Sequence, residues 1–119
     1  MNIQGKIWGS TSLLFDKNNV EIHRIVCEKN GYSSKHKHIS KYNMFFVEKG
    51  KLEISIWKKD YDLIDKTILG PQQFCIVDPG EYHMFKGIEN NTIVFEIYWV
   101  EIDKRDIVRD NVGGKKELN

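Results

Sequence analysis

Proline and cysteine are almost missing from this sequence, with two of each among 119 residues. Pro71 and Pro79 share one short window, and no repeat or low-complexity stretch accompanies them, which excludes a proline-rich linker. Cys27 and Cys75 lie 48 positions apart, each inside an apolar run and without the close spacing of a cysteine metal site. They read as small buried hydrophobes with reduced thiols. Excess charge is also lacking: 18 basic residues are scattered among 17 acidic ones, for a net charge of +1. No basic stripe suggests nucleic acid, and no acidic block suggests a tail. No apolar run approaches a membrane span, and the opening "MNIQGKIWGS" has no apolar signal core. The expectation is a cytoplasmic protein without membrane or nucleic-acid partners.

What remains is an ordinary globular composition, 40% apolar and 29% charged, in a chain long enough for one modest core. Short β-branched and aromatic runs dominate: residues 20–28, 42–48, 51–57, 61–69, 73–78, 82–87 and 92–102. Turn signals separate them at Asn30-Gly31, Lys49-Gly50, Lys59-Asp60, Gly70-Pro71, Pro79-Gly80 and Asn90-Asn91. Helical periodicity is weak everywhere. The pattern predicts an all-β fold of antiparallel strands, a sandwich or barrel, as a single domain over residues 1–119. Residues 1–19 form an N-terminal arm or strands in this reading, 20–102 the barrel and 103–119 a tail.

Alternation in "TIVFEIYWV" splits the last strand into two faces. Ile93, Phe95, Ile97 and Trp99 make one, wholly apolar. Thr92, Val94, Glu96, Tyr98 and Val100 make the other, as a strand lining a semi-polar cavity would. Two adhesive faces suit a barrel whose outer sheet packs on a second subunit, a homodimer, or one covered by the N-terminal arm.

The chemistry-bearing residues cluster in "KHKHISKYNMFFVEKG". His36 and His38, two apart, project to one face of an extended chain, while Lys35 and Lys37 point to solvent. That parity does not run on to Asn43, so a bend is expected near Ser40–Tyr42. "DPGEYHMF" brings His83 just after a Pro-Gly turn. Imidazoles from two strands meeting in a barrel mouth build a metal site. His23 sits among alternating polar positions and reads as exposed.

The arrangement resembles the cupin family. Its first motif runs Gly, His-x-His, Glu, Gly, and its second Gly, Pro-x-Gly, His, Asn. Gly31, His36, His38, Asn43 and Gly50 match the first, with Asn43 where the acidic ligand is usual. Gly80 and His83 match the second, with Asp78 in a proline position and Gly87 in place of the Asn. "GKIWGST", "SSKHKH", "VDPGEYH", "FEIYW" and "EIDKRDIVRDNVGG" resemble the sugar-phosphate branch, which includes type II mannose-6-phosphate isomerases. Trp8-Gly9 and Asp106-Ile107-Val108-Arg109 carry that likeness, whereas Gly114 replaces a tail arginine. The resemblance implies a jelly-roll barrel holding a divalent transition metal (Zn, Fe, Mn or Ni) on His36, His38 and His83, with Asn43 as a weak neutral fourth ligand. It implies action on a sugar or sugar phosphate, most simply aldose–ketose isomerisation. Glu96 would then be the acid/base group and Arg109 the phosphate ligand. The alternative for Glu96 is a buried carboxylate paired with Arg24 or Lys86, and for Arg109 a surface ion pair. A non-catalytic sugar-binding cupin, or a cupin dioxygenase, fits the same histidines.

Overall fold

The computed structural model describes residues 2–58, 63–100, 105, 106, 108, 109, 111 and 113–115. Every regular element in it is a strand: β1 Ile3–Lys6, β2 Gly9–Lys17, β3 Val20–Cys27, β4 Tyr42–Lys49, β5 Leu52–Trp57, β6 Ile64–Leu69, β7 Phe74–Val77, β8 Tyr82–Gly87 and β9 Thr92–Trp99. All pair antiparallel, in a six-stranded sheet of order β1-β2-β3-β9-β4-β7 and a three-stranded sheet of order β6-β5-β8. This is the jelly roll the sequence predicts. No helix among the described residues is long and apolar enough to cross a membrane.

Register explains where the site lies. On the inner face of the large sheet, Cys27, Thr92 and their neighbours form one end, and Ile25, Val94 and Val47 the next row. Then the rows turn polar. His23, Glu96 and Phe45 align, followed by Glu21, Tyr98 and Asn43. On β8 of the facing sheet, Phe85 gives way to His83 in the same sense. Period-2 alternation therefore sends one apolar-to-polar gradient down four strands at once. The apolar end is the core, with Ile25, Phe45, Val47, Leu52, Ile54, Phe85 and Val94 all buried. Each fully buried Leu- or Phe-sized side chain contributes about 1.5–3 kcal/mol. The polar end opens as a cavity.

Two glycines hold this register. Gly50, at φ +85°, closes the β4–β5 turn, and a Cβ there would strike Thr92. Gly80, at φ +83°, turns the chain three residues before His83. Both lie in the left-handed region that L side chains avoid. The turn expected at Lys59-Asp60 lies outside the described residues.

The N-terminal segment is a hairpin integrated into the large sheet, with Ile3 opposite Ser12 and Gly9 opposite Cys27. It does not cover the outer face of that sheet. There Met44 sits between Ile97 and Ile76, and Phe46 between Phe95 and Phe74. Phe15, Phe74 and Ile76 are exposed.

Candidate metal centre

His36 and His38 lie on an irregular extended segment and not on a regular strand. It is fastened to β8 by an antiparallel bridge in which His36 N–H donates to the His83 carbonyl (3.1 Å) and His83 N–H to the His36 carbonyl (2.8 Å). Gly80 N–H donates to the His38 carbonyl at 2.7 Å. The chain bends at Ile39–Ser40, close to the place its parity requires, before entering β4. One ligand atom from each of His36, His38 and His83 falls in a group spanning no more than 4.8 Å. The three rings sit edge-on or tilted, with centroids 4.6–5.5 Å apart.

Hydrogen bonds decide which ring nitrogens are offered. His36 Nδ1 lies 2.9 Å from the Ser34 carbonyl and His83 Nδ1 3.0 Å from the Glu81 carbonyl. A carbonyl only accepts, so both Nδ1 atoms carry the proton and both Nε2 atoms keep a lone pair. His38 Nε2 is buried without a partner, and so is Asn43 Oδ1. A cation would satisfy these two unpartnered atoms, and it would draw on the His83 Nε2 lone pair in place of the Asn43 amide, which donates to it at 3.3 Å. The donor set fits a divalent transition ion: neutral imidazoles suit Zn, Fe, Mn or Ni, with coordination positions left over. Burial, reinforced by the neighbouring imidazoles, lowers the His38 pKa to about 4. Burial also lowers that of His83, against an opposing hydrogen bond to Glu81. Both rings are therefore neutral at physiological pH, the form that binds metal.

Asn43 and Glu96 complete the buried part. Asn43, 1% exposed, has its amide nitrogen 3.3 Å from His83 Nε2 and 3.4 Å from Glu96 Oε2. Glu96, 8% exposed, pairs with neither Arg24 nor Lys86; its partners are Asn43 and the Tyr98 hydroxyl. Burial raises its pKa, with both hydrogen bonds opposing. Tyr98 is raised as well, by burial and by the adjoining Glu96. Glu96 and Tyr98 thus occupy the cavity-lining face that alternation assigned them.

Beyond this lies a cavity of about 570 Å³, lined among others by Gln4, Trp8, Glu21, His23, His36, His38, Lys41, Glu96 and Tyr98. His23 is not exposed, as its polar neighbours suggested, but half-buried in this wall. Its Nε2 is 3.2 Å from Glu21 Oε2, and its ring meets Tyr98 edge-on. Lys41 Nζ lies 4.0 Å from Glu21 and over the Tyr98 ring. Glu21, His23 and Lys41 went unrecognised in the sequence. The signal was there in parity, because Glu21 and His23 continue the row of Ile25 and Cys27. Arg109 is exposed in the C-terminal segment and does not line the cavity.

The fold has many structural relatives. KdgF from Halomonas sp. superposes with a TM-score of 0.74 at 12% identity, over 87% of this chain and 89% of that one. The Cnp3 cupin domain of Schizosaccharomyces pombe gives 0.71 at 14% identity, over 85% and 69%. The fold is that of the cupins. A Bacillus subtilis oxalate decarboxylase variant contains the same cupin fold, at a TM-score of 0.75 and 10% identity, over 83% of this chain and 27% of that one. Oxalate decarboxylase from that organism has Mn(II) centres. No family model and no curated protein sequence matches this chain. None of these three cupin relatives is a mannose-6-phosphate isomerase, so that sub-branch rests on the sequence motifs alone.

Proposed function

We propose that this cupin is a metal-dependent enzyme of small oxygenated substrates, and that its reaction is aldose–ketose isomerisation of a sugar or sugar phosphate. The observation that carries the reading is the adjacency of three clustered imidazoles to a buried carboxylic acid with a raised pKa. His36, His38 and His83 would hold a divalent transition metal, with the Asn43 carbonyl as a weak fourth donor. Such an ion supplies Lewis acidity toward a substrate carbonyl oxygen. The chain's own groups do the rest. Glu96, next to that centre, is the proton shuttle between neighbouring carbons, and burial raises its pKa, which makes it a better proton acceptor than a free carboxylate. Tyr98 holds the Glu96 carboxyl in place by its hydroxyl. The cavity walls position the remaining hydroxyls, and its polar end, not the core, receives the substrate.

The reading extends to assembly and setting. The apolar face of the large sheet, which the N-terminal hairpin leaves open among the described residues, suits a second copy of the chain, as a homodimer. Two free thiols accord with the cytoplasm. The sugar-binding alternative without catalysis is favoured by one feature, the amide at Asn43 where an acid would bind metal more firmly. Proton exchange at C2 of mannose 6-phosphate and related sugars, followed by NMR with metal supplied, separates the two. Exchange that depends on Glu96 supports the isomerase, whereas tight sugar binding without exchange supports the binder.

A further inference from the structure

The ligand set is electrically neutral, and that has a chemical consequence for what binds. His36, His38 and His83 bring no charge in their metal-binding form, and Asn43 brings an amide in a position where a carboxylate would cancel one charge of the ion. A dication held by neutral donors in a part-buried site keeps its full double charge, which is costly unless a counter-charge arrives.

The surrounding wall does not provide that counter-charge freely. Among the described residues, the carboxylates lining the cavity are Glu21 and Glu96. Glu21 is engaged by His23 at 3.2 Å and by Lys41 at 4.0 Å. Glu96 stands behind the Asn43 amide, bonded to it and to Tyr98, and lies outside the compact group of ligand atoms. Lys6 lines the same cavity and adds positive charge. Three histidines also leave more than one coordination position open, enough for a chelating ligand.

We infer that the ligand of this cavity brings the missing negative charge itself, as a small carboxylate with an adjacent hydroxyl or carbonyl oxygen. This rests on the metal-centre reading above and narrows its substrate class to acidic sugars, those with a carboxylate beside a hydroxyl or carbonyl oxygen. Asn43 is then a specificity-determining residue. It leaves the site one charge short, so a neutral polyol binds poorly and an acid binds well.

The test uses the full chain, Co²⁺ as the metal, and two probes of matched size, glycolate and ethylene glycol. Co²⁺ affinity is measured by calorimetry with each probe in excess, and the visible Co²⁺ spectrum is recorded alongside. Linkage requires that a probe which joins the metal tighten its binding. Glycolate should tighten Co²⁺ binding at least tenfold and shift the spectrum, although its own affinity for free Co²⁺ works in the opposite direction. Ethylene glycol should do neither. In Asn43→Glu, Co²⁺ should bind more tightly without a probe, and the glycolate effect should shrink to less than threefold. The inference is overturned if both probes act alike, or if glycolate acts equally on Asn43→Glu. Inorganic phosphate acting where glycolate does not would overturn the assignment of a carboxylate. Absence of any Co²⁺ binding would overturn the metal reading as well, which separates the two failures.

Discussion

Replacing His38 by Gln should change how the metal-free protein responds to acid. In the fold His38 has its pKa lowered to about 4, mainly by burial and then by repulsion from His36 and His83. In the unfolded chain it titrates near 6.5. Between those values the unfolded chain takes up a proton that the folded chain refuses, so stability falls as pH drops from 6.5 toward 4 and is fully present above 6.5. A depression of that size corresponds to about 3 kcal/mol if undiluted. The ring is only part-buried, so solvent screening takes a share, and about 1–2 kcal/mol is the expected loss. Gln is uncharged at every pH and loses none of it. Urea unfolding of chelator-treated protein at pH 7.5, 5.5 and 4 should therefore show the two stability curves converging, with the variant gaining about 1–2 kcal/mol relative to the parent. Acid-sensitive groups away from the three rings are common to both proteins and cancel. Parallel curves across that range would refute the geometry that buries His38 among the other rings.

Glu96→Gln should stabilise the metal-free protein at neutral pH, a usual exchange of stability for function. The sign follows from the raised pKa: the buried acid is an advantage only at low pH, and the fold loses stability as pH rises through the folded-state value. Thermal melts of the pair should coincide near pH 4 and separate at pH 7.5, with the variant the more stable. Gly50→Ala should cost about 2–3 kcal/mol, since it adds a Cβ against Thr92 at a left-handed φ, and chemical denaturation would read this directly. Phe46→Lys, on the outer face between Phe95 and Phe74, should shift sedimentation from dimer to monomer without loss of fold; an unshifted dimer would place the interface elsewhere.

The strands from β3 onward were legible because β-branched and aromatic runs alternate with turn dipeptides, and the structure places β3–β9 within a few residues of each predicted run. The long N-terminal strand was harder to read. "GSTSLLFDK" begins with small polar residues, and an irregularity between Leu13 and Phe15 breaks its alternation. His23 failed for a different reason. A polar row signals solvent in an open sheet, but in a barrel the polar end of an inward row lines the cavity. Glu96 and Tyr98 were readable because their row also contains Val94 and Thr92, whose burial fixes the direction. Nothing local in the sequence reports that Glu21, His23 and Lys41 meet Tyr98, since β3 and β9 are brought together only by register. The tail motif containing Arg109 was read by resemblance, and resemblance does not carry position.

The central claim is that His36, His38 and His83 form one metal site, and anomalous diffraction tests it most directly. Crystals of the protein grown with Co²⁺ should show a single strong peak at the Co edge between the three Nε2 atoms, absent from His83→Gln crystals treated identically. A peak elsewhere, or no peak among the three rings, would contradict the account.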